Sequence, residues 1–514
     1  SLAYSFTMAS EKRDSMTISQ SHDSPSEIAP KALSNDEYQL AQLGYKQEFF
    51  RTLGLFENWA ATFTTMNFIS GIPMMFAFVM STGGPEAAFA NWTMVGGFSF
   101  IVSLAMAEIA SALPVAGGIY YWSFYLGGKK WGPFLSWMTA WWNWAGWITV
   151  PCGVQQGATN FLISALEIQY PNAEVLTKGW FSWILTSVGI LIAMLPNIIS
   201  PRVLPAEISN HRPGCFNIFL TTSMRVTKSK LRMDTAGLSR HFSYDASAHL
   251  AEETKEASAV VAKGMWMATL SGWLLSIPTL ILILFCIQDF DGIIAATYAN
   301  NWAEYLMQLI GPAGSTAILV LLWIDSTCAT ASAFMSAQRV TYAISRDNVL
   351  PFSRYFRKLT STHRMPLHAA FLVAAISIAI STAVIGSSVA FSAITAMSTI
   401  ATNVSYLFPI IARQTVGAAV FVPAKWNLGR ASAVIATISS VWICYLFVVL
   451  LLPQVYPVTG TTLNYAPVMI GAITLISLVG WIFPFGLGGK YWFKGPQTTI
   501  TDVDVLEATI PEMS

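Results

Sequence analysis

AAFLVAAISIAISTAVIGSSVAFSAITAMSTIATNVSYLFPIIA, from Ala369 to Ala412, runs without a single Asp, Glu, Lys or Arg. A helix needs about 20 apolar residues to cross a bilayer core, so this stretch is long enough to cross twice. Four other runs share the property: Trp59 to Pro85, Trp131 to Leu166, Gly179 to Pro201 and Ala431 to Gly489. Across the 514 residues 54% are apolar or aromatic and 11% charged, where an average soluble domain carries about 25% charge. The chain therefore reads as an all-α polytopic membrane protein. Strands are excluded because a lipid-exposed edge would leave backbone groups unpaired, and the alternation of a membrane barrel is absent. A net charge of +1 supplies no global field for nucleic acid, so no nucleic-acid partner is expected. Five scattered cysteines suggest neither a disulfide framework nor a metal site, and no cofactor is expected.

Dividing the runs at Gly, Pro, Asn and charge clusters predicts about ten helices, near 59–80, 88–112, 134–165, 180–199, 264–287, 305–338, 369–385, 389–411, 431–452 and 466–487. The segments 134–165 and 305–338 exceed the membrane core, so as single spans they must tilt or project. With the N-terminus inside, this arrangement puts every Lys and Arg except Lys178 on the inner side. Such a bias predicts two cytoplasmic termini. Residues 1–55 read as a disordered cytoplasmic tail, 56–490 as the membrane domain and 491–514 as a second tail.

Ionisable groups within spans are costly and mark functional candidates. Glu108, in Ala107-Glu108-Ile109-Ala110-Ser111-Ala112-Leu113-Pro114, could accept backbone donors at a broken helix or take part in proton coupling. Asp325, in Trp323-Ile324-Asp325-Ser326-Thr327, could bind a cation, carry a proton or simply bond to nearby hydroxyls. In the first span Ser70-Gly71-Ile72-Pro73 predicts a break, since Pro73 lacks a backbone donor and Gly71 permits unusual dihedrals; a plain kink is the alternative. Asn143 is the strongly polar member of a tryptophan-rich stretch, Trp137 to Trp147, and could face a central cavity. His249-Leu250-Ala251-Glu252-Glu253 has half of a zinc motif, but no second His stands at ligand spacing.

The run Ala107 to Trp122, with Pro114-Val115-Ala116-Gly117-Gly118-Ile119-Tyr120-Tyr121-Trp122 at its end, resembles the second-to-third-helix signature of the amino acid–polyamine–organocation permeases. The tryptophan run of the third span is similar to that family's as well. Tyr244-Asp245-Ala246-Ser247-Ala248-His249-Leu250-Ala251-Glu252-Glu253-Thr254 resembles the segment closing the sixth helix in the branch that carries amino acids, 4-aminobutyrate and choline. Gln338 to Pro351 resembles the loop after the eighth helix. The resemblance implies twelve helices, two inverted five-helix repeats plus two more, with solute held where the first and sixth helices unwind. It also implies proton-driven alternating access. Carried onto this chain, the substrate site would be formed by Ser70, Gly71, Ile72, Pro73, Asn143, Ser243, Tyr244 and Asp245, with Glu108 and Asp325 as coupling candidates.

The chain departs from that family between Ser200 and Val260. Two helices are expected there, yet the longest apolar stretch, Cys215 to Met224, is too short to cross. The fifth helix and most of the sixth are missing from this reading, and 201–242 reads as an aberrant basic cytoplasmic segment. The expected function is a proton-coupled permease for amino acids or related amines such as 4-aminobutyrate or choline, in the plasma or vacuolar membrane, with solute, protons and membrane lipid as partners. The alternative is a non-transporting sensor or a defective paralogue.

Overall fold

The computed structural model describes residues 35–199, 244–360, 364–386, 388–452, 463 and 465–497. Its long elements are α1 (Asn35–Gln42), α2 (Leu55–Thr65), α3 (Phe68–Ala112), α4 (Ile119–Gln169), α5 (Gly179–Met194), the single turn α6 (Ala246–His249), α7 (Ala257–Phe285), α8 (Trp302–Arg346), α9 (Leu367–Ser381), α10 (Ser388–Gln414), α11 (Ser432–Leu451) and α12 (Ala466–Ile482). Each of the ten expected segments is helical to within a few residues. Among the described residues, six helical stretches are long and apolar enough to cross a membrane: Gly84–Ala112, Gly179–Ile198, Ala257–Phe285, Trp302–Arg346, Leu367–Gly386 and Gly429–Leu451.

The protein is an all-helical, polytopic membrane protein, and its surface shows why. On α11 the side chains of Val434, Ile438, Val441, Tyr445 and Val448 point outward at three- and four-residue spacing, and α12 does the same with Val468, Leu475, Val479 and Ile482. Such stripes would drive aggregation in water and are the natural exterior in lipid. The middle of the bundle is α4, which packs along α8, α10, α5, α9 and α12, while α7 lies against α2 and α3. Most of α4 is buried, including Trp122 and Trp147 at 0% exposure.

Three expectations are corrected by the backbone. The break in the first span lies at Met66 and Asn67, between α2 and α3, with Asn67 at φ 52 and ψ 49. Ser70, Gly71, Ile72 and Pro73 instead sit inside the first turns of α3. Asn tolerates this left-handed region better than most residues. Pro73 lies in the sixth position of α3, where its missing donor costs one bond to the preceding turn. Second, 305–338 is not one continuous helix. Gly311 (φ 74, ψ 179) divides α8, and Gly84 (φ 70, ψ −171) divides α3. Only glycine adopts this region readily, and in each case proline follows at the first position of the next helix, where its fixed φ suits helix initiation. Third, residues 35–55 and 491–497 belong to the folded body. Tyr45, Phe49 and Leu53 are buried against it, Leu53 makes a parallel bridge with Thr254, and Phe493 packs on the ring of Trp137.

Candidate functional site

At the end of the bundle where the basic residues gather, acidic side chains are distributed one to each joint. Glu108 closes α3 against the α10–α11 connection: Arg413 Nη2 lies 3.1 Å from its Oε2, the Ser432 hydroxyl donates to the same oxygen at 2.5 Å, and the Leu428 amide donates to Oε1 at 3.3 Å. Those three donors give it the bonding of an anchor. Glu252 pairs with Arg346 of α8 at 3.3 Å and accepts the Ala116 amide at 3.2 Å. Glu253 pairs with Arg339 of α8, which is 1% exposed. Asp347, just beyond α8, accepts from the hydroxyls of Tyr120 at 2.6 Å and Tyr45 at 3.3 Å, and from the Gln497 amide at 3.1 Å. Residues from both flanking segments thus meet on one carboxylate. Burial pushes its carboxyl above the usual range, opposed by Arg346 and by these hydrogen bonds.

Halfway along the bundle lies the second group. The Ser70 hydroxyl approaches Asn67 Oδ1 and donates to Asp325 Oδ2 at 2.8 Å. This contact joins α3 at its unwound start to the middle of α8, and so brings together two of the expected site residues. Immediately before the break, Thr65 Oγ1 is 2.8 Å from Ser332 Oγ, which also donates to the Ala61 carbonyl at 3.0 Å. On the α4 side Gln155 Nε2 reaches Thr327 Oγ1 at 3.5 Å. Gln155 is fully buried, and among the described residues its Oε1 has no hydrogen-bond partner. The end of α2, the start of α3 and Gln155 of α4 therefore all meet one stretch of α8, between Asp325 and Ser332.

Asn143, Tyr244 and Asp245 form a separate cluster. Asp245 is 0% exposed. Its Oδ1 accepts the Tyr406 hydroxyl at 2.6 Å; its Oδ2 is approached by the Trp147 indole at 2.9 Å, His249 Nε2 at 3.1 Å and Asn143 Nδ2 at 3.5 Å. Asn143 also donates to Ser405 at 3.3 Å, and the Tyr244 and Tyr406 rings lie 5.2 Å apart. Four side-chain partners leave Asp245 no open face for a solute in this conformation; it ties α4, α6 and α10 together instead. Ser243 and the segment 201–242 lie outside the described residues.

Sequence reasoning missed Asn67, Gln155, Tyr406 and the use made of His249. Only the last left a usable signal, since Asp245 and His249 stand four residues apart and share a helical face.

The family model described as "Amino acid permease" matches residues 56–205 and 240–473, so the match passes over 206–239. The chain is 30% identical over 508 residues to the amino-acid permease BAT1 homolog of Oryza sativa subsp. japonica, covering 90% of this chain and 95% of that one. It is 27% identical over 502 residues to the thiamine transporter thi9 of Schizosaccharomyces pombe, covering 87% and 85%. With the GABA-specific permease of Saccharomyces cerevisiae it shares 23% identity over 506 residues, covering 92% and 88%. Matched over most of its length, and built as a bundle of apolar helices around an interrupted first span, the chain belongs to the amino acid permease family.

Proposed function

We propose that the protein is a secondary transporter that moves an amino acid or a related amine across a membrane, coupled to protons. The observation that carries the reading is the contact of Ser70 with Asp325 beside Asn67. Where α2 ends and α3 begins, backbone groups are released from helical pairing and become available to a carboxylate or an amine. Asp325 places a negative side chain against that break, an attraction for a solute's ammonium. The names of the relatives, which include a GABA-specific permease and a thiamine transporter, support a nitrogenous solute. Choline is kept as a further candidate. The charged end is assigned to the cytoplasm, by the excess of Lys and Arg there, in the plasma or vacuolar membrane, and this fold surrounded by lipid performs no covalent chemistry.

Purified protein in liposomes tests the proposal with labelled 4-aminobutyrate, mixed amino acids, choline and thiamine. Uptake of at least one above empty liposomes, reduced tenfold or more in D325N, supports it. Uptake equal to empty liposomes for all of them favours a second reading, a sensor or transport-defective paralogue. That reading draws on the unmatched stretch 206–239, where the resemblance leads to an expectation of the fifth and sixth helices.

A further inference from the structure

Asp245 and His249 lie one helical turn apart, at 0% and 1% exposure, with His249 Nε2 3.1 Å from Asp245 Oδ2. The other ring nitrogen, Nδ1, is 3.4 Å from the backbone oxygen of Ala116. A carbonyl oxygen only accepts, so this contact is a hydrogen bond only when Nδ1 carries a hydrogen. Oδ2 also faces two groups that only donate here, the Trp147 indole N–H and the Asn143 amide nitrogen, and Oδ1 accepts from Tyr406. If both contacts are hydrogen bonds and Asp245 is ionised, both nitrogens carry hydrogens and the ring is an imidazolium. If the ring is neutral with its hydrogen on Nδ1, Nε2 presents a lone pair and a second hydrogen sits on Oδ2. Either distribution holds one proton more than a neutral imidazole beside an ionised carboxylate. Without it the ring has one hydrogen for two acceptors, and one of the two contacts is unmade in a buried site, where an unmade hydrogen bond is costly.

We propose that the Asp245–His249 pair is a proton-binding site whose occupancy holds the segment 244–254 in place; this rests on the transporter reading above and names the group that couples it to protons. Ala116 provides the connection. Its carbonyl meets His249, and its amide donates to Glu252, the partner of Arg346 at the closed charged end. When the proton leaves, the neutral ring has a single hydrogen, which stays on Nε2 toward Oδ2 at the shorter contact, and the bond from Nδ1 to Ala116 is lost. The grip of 244–254 on the 115–118 turn is then left to Glu252. The titratable groups around the pair are Tyr244, Tyr406 from α10, and Glu252 and Glu253, which are held by Arg346 and Arg339 of α8. From α4 come the uncharged Asn143 and Trp147; from α2 comes Asn58, through Ser247. One proton bound from one side of the membrane and released to the other in each cycle balances the charge.

The Trp147 and His249 rings meet edge to face at 5.6 Å, which gives a readout independent of transport, because an imidazolium quenches indole emission. Purified wild-type protein is expected to show a pH-dependent step in tryptophan emission that disappears in both H249Q and W147F. The same step in all three proteins, or no step in the wild type, overturns the proposal. In liposomes loaded with unlabelled 4-aminobutyrate, H249Q is expected to keep exchange of labelled 4-aminobutyrate and to lose at least tenfold of the acceleration that an imposed pH gradient gives the wild type. An undiminished response to the gradient in H249Q also overturns it. If the wild type exchanges no labelled 4-aminobutyrate, amino acid or choline, the transporter reading fails, while the emission titration still decides the proton site.

Discussion

Arg339 is almost wholly enclosed and reaches Glu253 from near the C-terminal end of α8. Removing one member of such a pair strands the other charge away from water, a loss of about 3–5 kcal/mol. R339M should therefore lower the melting temperature in detergent markedly, and adding E253M should restore more than half of the loss; equal melting of R339M and wild type would contradict the burial described. Asn67 makes a finer test. A β-branched residue at φ 52 costs about 1–2 kcal/mol that glycine avoids, so N67G should melt within a degree or two of wild type and N67V clearly below it. Residue by residue, the sequence revealed the unusual groups and concealed their partners. Asp325 and Asn143 stood out because polar atoms are rare in apolar runs, and Asp245 stood out through the resemblance of its segment. That Asp325 meets Ser70, 255 positions away, or that Asp245 meets Tyr406, depends on how helices pack, and periodicity carries no record of that.

The elements were legible where charge-free length is the signal and illegible where a single dihedral decides. Segment 305–338 looked continuous because nothing in its hydropathy changes at Gly311. The break arises from a glycine conformation followed by a proline, and Gly84-Pro85 repeats it. Substituting alanine for Gly311 or Gly84 should cost about 1–3 kcal/mol through backbone strain alone, since open space surrounds both positions. Thermal melts of G311A and G84A check this, with G71A as the control, because Gly71 is helical and equally uncrowded. Residues 35–55 were misread for a related reason. Their polar composition suggested a solvated tail, yet Tyr45, Phe49 and Leu53 turn inward at four-residue intervals and bind the charged end. The proline signal in Ser70 to Pro73 was real but displaced, because a helix can carry proline near its start more cheaply than it can restart there.

For the molecule as a whole, the charged end in this conformation is shut by ion pairs and by the flanking segments, and Asp347 lies where they meet. Its carboxyl binds a proton more tightly folded than unfolded. Its contribution to stability is therefore complete below the unfolded value and is lost as pH rises through the folded one. The wild type should lose melting temperature relative to D347N as the pH climbs from about 4 toward neutrality; parallel curves would show that burial leaves this group unshifted. The all-helical membrane class could be read from composition, since lipid imposes it on every residue alike.

The convergence of Tyr45 and Gln497 on Asp347 has a practical corollary. A donor dye at position 46 and an acceptor at position 497 would start within close energy-transfer range and separate whenever that end of the bundle opens. Single molecules could then be watched as they switch, with no knowledge of the cargo.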